Sequence, residues 1–506
     1  MSNWPNPLIA GFNPDPSVVR VDGAYYLVTS TFEYLPGLPV YRSIDLVDWE
    51  HIGHVAERPE QIAVGFAPTG TGVFAPTIRY HDGLFHVIVT VVGSPRGCVV
   101  FTATDPTGPW SDGVTISGVG GIDPDLAWDD DGTAYVTYSG IQLTGEEGSH
   151  HGIEQVRVDL TTGRALERPR SLWSGTGLRY PEAPHLYRRG DHWYLLIAEG
   201  GTERGHAVSI ARSTSPAGPF TGHPANPVLT ASGSWLPVQN TGHADLVETP
   251  EGGWALVLLG VRSVGEARAF SPLGRETFIT DVTWTEDGWP VPAPVELAPR
   301  AGTETTAFSF EDDACLDDLG WIAVRTLPRS VAETAGCHLV LQGRQGGLDI
   351  ACPAFVGRRQ HHLNAVVSTT VDVTEGVGGL AARYDERHHF GLEARTEGDR
   401  TVVTAWGSVA GLRQGWHKEF PSGPINLELE LLLPTEACTT VRADRIRLLA
   451  GGTQLAELDG RYWTAETCAS FTGRVVGLWA REGTVRFADF QYTGWETGTA
   501  SSATNT

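Results

Sequence analysis

Acidic side chains recur at related positions in the first half of the sequence. Asp15, Asp123 and Glu182 each stand next to a proline, and Phe74 and His243 occupy corresponding points, so that the five positions are separated by 59, 49, 59 and 61 residues. Carboxylates that are brought together repel one another and lose hydration, so a protein holds three of them in one place at a cost. Such a cluster is typical of acid–base catalysis, in which one carboxyl group donates a proton and another accepts one. We therefore predict a catalytic site where these positions meet, although each acid taken alone is compatible with a solvated turn.

The elements that must position these residues are short β-hairpins. Their turns are, in chain order, Val21-Asp22-Gly23, His81-Asp82-Gly83, Asp130-Asp131-Gly132, Arg189-Gly190-Asp191 and Glu251-Gly252-Gly253. Asp-Gly between apolar and aromatic runs is a strong hairpin signal. Each hairpin is followed by a third apolar run, and the sequence has no convincing helical period. The pattern predicts a five-bladed β-propeller over residues 1–300. An irregular β-sandwich with chance spacing is the alternative.

The propeller would explain how the five positions meet. They lie some seven to nine residues before the hairpin turns, which places them near the start of each blade's first strand. First strands surround the central channel of a propeller, so we expect the five side chains at one mouth of that channel. The adjoining prolines fix φ and bias the preceding residue towards extended backbone, so each acid is held on a stiff strand entrance.

The pattern changes after the proline-rich segment 290–294. Residues 307–495 show alternating strands without the repeat of roughly 60 residues, as in Ala365–Val371 and Ile425–Leu433. This predicts a second domain that is an antiparallel, concanavalin-like β-sandwich. Residues 496–506 are rich in Ser, Thr, Gly and Ala, and we expect a disordered tail.

Composition narrows the classes of partner and compartment. Sixty acidic residues against 36 basic ones give a net charge of −24, which disfavours nucleic acid and anionic membrane surfaces as partners. The N-terminus has neither a basic nor an apolar signal region, so the expected location is cytoplasmic. The six cysteines include no CxxC pair and are expected to be reduced.

Several spaced motifs together resemble glycoside hydrolase family 43. They are Asn13-Pro14-Asp15-Pro16-Ser17, Thr31-Phe32-Glu33-Tyr34, Ile122-Asp123-Pro124, Pro181-Glu182-Ala183-Pro184-His185-Leu186-Tyr187 and Ala198-Glu199-Gly200-Gly201-Thr202. The resemblance runs from residue 5 to about residue 495. It is to the branch of β-xylosidases and α-L-arabinofuranosidases that carry a C-terminal β-sandwich.

The resemblance implies a role for each acid. Asp15 matches the general base, Glu182 the general acid, and Asp123 the third carboxylate, which orients the acid and raises its pKa by like-charge repulsion. Family members of this kind invert the anomeric centre, which requires two carboxyl groups about 6.5–9.5 Å apart with a water between them.

The resemblance also implies the sugar-binding residues. Phe32, Phe74 and Ala75 match wall positions of the pocket, with Phe74 standing where many relatives have Trp, and Arg262 matches an arginine of the sugar subsite. His243 matches a channel histidine that in some members lies beside a divalent cation. No cofactor is required for the chemistry, and a structural or activating Ca²⁺ near His243 is an expectation of this resemblance only.

The expected function is exo-acting release of terminal xylose or arabinofuranose from small oligosaccharides. A second domain large enough to cover one channel mouth favours exo action over the alternative, an endo-acting arabinanase with an open groove. A non-catalytic sugar-binding propeller is the other alternative, and the presence of all three acids disfavours it. Preference between the two pentoses remains open, as does assembly into a homo-oligomer.

Overall fold

The computed structural model describes residues 4–142, 149–265, 269–434 and 443–496, and the tail from residue 497 lies outside them. These residues form two compact units that are interleaved along the chain. The first consists of the residues up to Ile9, Asn13–Arg262 and Glu276–Ala298. The second consists of Ala10–Phe12, Ser263–Arg275 and the chain from Pro299 onwards. None of the described helices is long and apolar enough to cross a membrane.

The first unit is a five-bladed β-propeller of antiparallel sheets, each entered through its innermost strand. Blade 1 contains Ser17–Val21, Ala24–Val28, Gly37–Ser43 and Glu50–Ala56. Blade 2 contains Gly72–His81, Leu84–Val92, Gly97–Ala103 and Val114–Thr115. Blade 3 contains Gly121–Trp128, Ala134–Gln142, Ser149–Asp159, Arg164–Ala165 and Arg170–Trp173. Blade 4 contains Glu182–Arg189, His192–Glu199, Ala207–Ser213, Thr221–Gly222 and Leu229–Thr230. Blade 5 contains Val238–Glu248, Trp254–Arg262, Glu276–Trp284 and Pro290–Pro292.

Short elements lie between the blades, and the N-terminal segment closes the ring. A two-residue strand, Tyr34–Leu35, lies between Ala24–Val28 and Gly37–Ser43 along the chain, and a short helix and a 3₁₀ turn, Pro59–Ile62 and Val64–Phe66, precede blade 2. Asn6 pairs with Ala298, and its side-chain amide exchanges hydrogen bonds with the backbone of Ile279 in blade 5. The segment that precedes blade 1 is thereby hydrogen-bonded to blade 5.

The second unit is an antiparallel β-sandwich. Its strands are Thr303–Phe308, Ile322–Val324, Ala332–Thr334, Leu339–Gln342, Ala354–Arg359, Asn364–Arg383, His388–Glu397, Arg400–Val409, Leu412–Pro421, Ile425–Leu432, Arg445–Ala450, Thr453–Asp459, Val475–Phe487 and Phe490–Trp495. Its short helical elements are Asp313–Asp317, Pro328–Ser330, Gly347–Asp349, Gly460–Tyr462 and Ala465–Cys468.

One long strand, Asn364–Arg383, runs through both layers of the sandwich. Its first half pairs with Ile425–Leu432 and its second half with His388–Glu397, with a bulge between Asp372 and Glu375. Its inward side chains join a single apolar core. The predicted all-β fold, a five-bladed propeller followed by a β-sandwich, is confirmed. Five of the six cysteines are described and are free, and Cys438 lies outside the described residues.

Candidate active site

Each innermost strand of the propeller is entered through a residue with left-handed backbone. These residues are Asp15, Ala75, Asp123, Ala183 and His243, whose φ angles are 56°, 42°, 55°, 50° and 48°. Residues other than glycine rarely adopt positive φ, and the conformation costs an L-residue about 1–2 kcal/mol. The same strained turn at the same point of all five blades therefore defines one ring of equivalent positions, separated by 60, 48, 60 and 60 residues.

In two of the five blades, the residue of this ring is not the one that the sequence analysis selected but its neighbour. In blades 2 and 4 the left-handed residues are Ala75 and Ala183, so Phe74 and Glu182 stand one residue ahead of the ring. Both precede a bulge, between Phe74 and Thr77 and between Glu182 and His185. Blade 3 has the same bulge, between Ile122 and Asp125, with Asp123 itself in the left-handed position, so the bulge does not cause the offset.

Asp15 is buried and tightly oriented, with 4% of its surface exposed. The Ser30 hydroxyl donates to Asp15 Oδ2 at 2.6 Å, and the Ala75 N–H donates in turn to Ser30 Oγ at 2.7 Å. His243 Nδ1 lies 3.6 Å from Asp15 Oδ1. A hydrogen bond donated by a hydroxyl group favours the ionised form of a carboxyl group, so this arrangement suits a proton acceptor.

Asp123 and Glu182 are linked through one peptide group. Asp123 Oδ2 accepts a hydrogen bond of 3.1 Å from the N–H of Ala183, the residue directly after Glu182. Asp123 is buried, whereas the Glu182 side chain retains 16% exposure. The two acids of blades 3 and 4 are thus held in one local unit, in which the Glu182 carboxyl group is the one open to solvent.

A residue that the sequence analysis missed, His206, lies beside Glu182. Its Nε2 is 4.0 Å from Glu182 Oε1, and its Nδ1 is 3.0 Å from the backbone oxygen of Asn240. One signal was available in the sequence, because Gly205-His206-Ala207 repeats the tripeptide Gly242-His243-Ala244.

Three of the predicted sugar-binding residues, Phe32, Phe74 and Arg262, have well-defined neighbours in the structure. The rings of Phe32 and Phe74 meet edge to face with centroids 5.2 Å apart, and Phe32 exchanges backbone hydrogen bonds with Val73. Arg262 is buried and makes a bidentate ion pair with Glu276, at 2.8 and 2.9 Å. Glu276 was missed from the sequence because it lies in the next strand, beyond an excursion of the chain.

A charged network lies further along the innermost strands. It consists of Arg79 and of the residues two positions after four of the ring residues, which are Ser17, Asp125, His185 and Asp245. Arg79 lies 2.7 Å from Asp125 and 3.0 Å from Asp245, and its Nη2 donates to His185 Nδ1 at 3.0 Å. Ser17 donates to Asp245 at 2.7 Å. Burial alone would raise the pKa of both aspartates, but the Arg79 guanidinium and the hydrogen bonds to each carboxylate hold each pKa below its ordinary value.

The calcium ion that the resemblance suggests would need oxygen ligands near His243. Calcium takes six to eight oxygen ligands, and the described residues contain no group of three or more His, Cys, Asp or Glu side chains placed to hold a metal. Asp125 and Asp245 are paired with Arg79. A calcium ion near His243 stays a prediction.

Comparison with known families follows the division into two units. Residues 4–290 match the model of glycosyl hydrolases family 43. The chain belongs to this family. Residues 310–496 match the model of the beta xylosidase C-terminal Concanavalin A-like domain. The predicted family and the predicted type of second domain are confirmed.

Relatives of this family 43 glycosidase match it over most of its length. It is 36% identical over 499 residues to the non-reducing end alpha-L-arabinofuranosidase BoGH43B of Bacteroides ovatus, covering 94% of this chain and 90% of that one. It is 34% identical over 397 residues to a beta-xylosidase of Bacillus subtilis, covering 72% and 74%. A solved xylan beta-1,4-xylosidase from Bacillus halodurans superposes with a TM-score of 0.85 at 27% identity, covering 97% of this chain and 100% of that one.

Proposed function

We propose that this family 43 glycosidase removes single terminal pentosyl groups, α-L-arabinofuranosyl or β-xylosyl, from the non-reducing ends of small oligosaccharides with inversion of configuration. The observation that carries the proposal is the contrast between two carboxyl groups at one channel mouth. Asp15 is buried beneath a hydroxyl donor and an imidazole, and Glu182 is partly open to solvent. Carboxyl groups in such different environments are suited to opposite proton-transfer roles.

The two environments suit a single displacement. Asp15 accepts one proton from a water that attacks the anomeric carbon, while Glu182 gives its proton to the departing glycosidic oxygen. The C–O bond to the leaving group breaks as the bond to water oxygen forms, so no covalent enzyme intermediate is needed. Asp123, bonded to the Ala183 N–H, keeps the peptide that carries Glu182 in place.

The surrounding residues are proposed to bind the sugar. The Phe32–Phe74 pair and Ala75 form an apolar wall, and Arg262, held by its ion pair with Glu276, donates to sugar hydroxyl groups. His243, beside Asp15, is placed to keep that carboxylate oriented. Two relatives matched over most of the chain carry the names arabinofuranosidase and beta-xylosidase, which supports a pentose rather than a hexose as the group released.

The test compares two substrates and one stereochemical outcome. The enzyme is assayed side by side on 4-nitrophenyl α-L-arabinofuranoside and β-D-xyloside, and proton NMR records the anomer that is formed first. We expect release from at least one substrate with the opposite anomeric configuration in the product. A retained anomer would require a covalent intermediate and a carboxyl pair only about 5 Å apart, and would contradict the mechanism. Binding without any release would contradict the enzymatic function.

A further inference from the structure

His206 is fixed in one orientation by its neighbours in blades 4 and 5. It is 1% exposed, and its Nδ1 lies 3.0 Å from the Asn240 carbonyl oxygen. A β-carbon placed on Gly242 would come within 2.4 Å of the imidazole, so the ring packs directly on the Gly242 backbone. The Thr230 hydroxyl donates to the His206 carbonyl at 2.8 Å, and the His206 N–H donates to the Glu203 carbonyl at 3.0 Å. The hydrogen bond to Asn240 and the packing on Gly242 together hold the ring in this orientation.

The Asn240 contact decides which nitrogen carries the proton. A carbonyl oxygen only accepts hydrogen bonds, so His206 Nδ1 is the protonated nitrogen. In the neutral ring Nε2 then has a lone pair, and this is the atom that lies 4.0 Å from Glu182 Oε1. Burial disfavours the imidazolium form, because a charged ring would lose its hydration.

We propose that His206 is a positioning residue that keeps Glu182 protonated before each turnover, an inference that rests on the proposed role of Glu182 as the general acid. A protonated carboxyl group has an O–H to donate, and Nε2 accepts it, whereas a carboxylate facing the same lone pair gains nothing. The contact must shorten by about 1 Å to become a hydrogen bond, as catalytic contacts do when substrate binds. The proton passes from Glu182 to the leaving oxygen, and solvent returns one to Glu182 through its exposed face.

Other ionisable groups around Glu182 are engaged elsewhere. Asp123 accepts from the Ala183 N–H, the Glu199 carboxylate accepts from the backbone and hydroxyl of Thr176, and His185 Nδ1 accepts from Arg79. Further charged or titratable groups on the adjoining strands and turn include Glu203, Arg204, His243 and Arg262. Asp123 also favours protonated Glu182 through like-charge repulsion, so the two effects act in the same direction and must be separated by mutation.

The test uses two substitutions, each of which keeps the hydrogen-bonding function of one of the two imidazole nitrogens. His206→Asn retains a donor near the Nδ1 position and loses the acceptor at Nε2, whereas His206→Gln retains an acceptor oxygen near Nε2 and loses the donor. For His206→Asn we expect the alkaline limb of the kcat–pH profile to move about one unit lower, with a larger loss on pentosides of poor leaving groups than on nitrophenyl pentosides. For His206→Gln we expect the wild-type limb within about 0.3 units.

Two outcomes would overturn the proposal. One is an unmoved alkaline limb in His206→Asn with an equal fall in kcat on both leaving groups, as expected for a merely structural residue. The other comes from ¹⁵N NMR of the wild type, assigned against His206→Gln, which avoids any folding defect of the Asn variant. We expect the neutral Nδ1–H tautomer between pH 5.5 and 8, and an imidazolium or Nε2–H tautomer would contradict the argument. Failure of Glu182 itself as the acid is recognised separately, by equal losses of Glu182→Gln on both leaving groups.

Discussion

At the residue scale the site separates its acids by environment rather than by type. Asp15 has a hydroxyl donor at 2.6 Å and an imidazole at 3.6 Å, and Glu182 faces the unprotonated nitrogen of a buried histidine. Surroundings that offer donors stabilise an anion, and surroundings that offer acceptors stabilise a protonated acid. The two carboxyl groups can therefore hold opposite protonation states at the same pH.

Leaving-group dependence distinguishes the two roles. Glu182→Gln should lose little activity on nitrophenyl pentosides, whose leaving group departs without a proton, and about 10²–10⁴-fold on disaccharides. Asp15→Asn should lose about 10²–10⁴-fold on every substrate, because activation of water is needed whatever departs. Steady-state kinetics on both substrate types provides the check, with circular dichroism to verify folding. An Asp15→Asn enzyme within about tenfold of wild type would contradict its assignment as base.

At the element scale the strand entrances hold the acids in place. All five have a left-handed residue at the same point, and in blade 4 that residue is Ala183, which carries the N–H bonded to Asp123. Strained backbone of this kind persists only where the surrounding structure fixes it, and it clusters at functional sites. The hydrogen bond from Ala183 thereby holds Asp123 and the peptide after Glu182 together at the entrances of blades 3 and 4.

Two substitutions at Ala183 test the importance of this backbone. Ala183→Gly should preserve activity, because glycine adopts positive φ without steric cost. Ala183→Val should lower kcat by at least about tenfold and lower the melting temperature, because a β-branched residue resists positive φ and would displace Glu182. Activity assays and thermal melts of the pair decide the matter. Equal behaviour of the two variants would show that the left-handed turn is dispensable.

The sequence predicts strand entrances and site residues only where particular residue types mark them. Asp-Gly turns and prolines beside Asp15 and Asp123 revealed the blades and the acids. Positive φ at an alanine has no compositional mark, so the offset at Ala75 and Ala183 was invisible. Glu276 and the Arg79 network were missed because their partners come together only in the folded channel, as when Ser17 bonds Asp245 across 228 residues.

At the scale of the whole molecule, the chain does not divide cleanly at residue 300. The second unit includes Ser263–Arg275, which leaves blade 5 directly after Arg262 and returns at Glu276. Within that unit Ser271 is bonded to the Glu466 carboxylate through both its N–H and its hydroxyl, and Tyr384 donates to the Pro272 carbonyl at 2.7 Å. A β-carbon on Gly274 would lie 2.7 Å from the Thr472 carbonyl oxygen, so this position also requires a glycine. The sandwich unit therefore contains chain from before and from after Glu276–Trp284, the third strand of blade 5.

The channel network links the stability of the propeller to pH. Arg79 and hydrogen bonds depress the pKa of Asp125 and Asp245 in the folded protein, against the tendency of burial to raise it. A folded-state pKa below the unfolded value of about 3.9 adds stability that is complete above that pH and is lost as the pH falls below it.

Asp245→Asn should therefore lower the melting temperature by roughly 5–10 °C at pH 7, since one partner of a buried ion pair is removed. The difference from wild type should shrink steadily between about pH 4 and pH 2. Melts at constant ionic strength provide the measurement, with Asp82→Asn, a change to a side chain that is 88% exposed, as the matched control. A gap between Asp245→Asn and wild type that is the same at pH 7 and pH 2 would mean that packing around Asp245, and not its charge, supplies the stability.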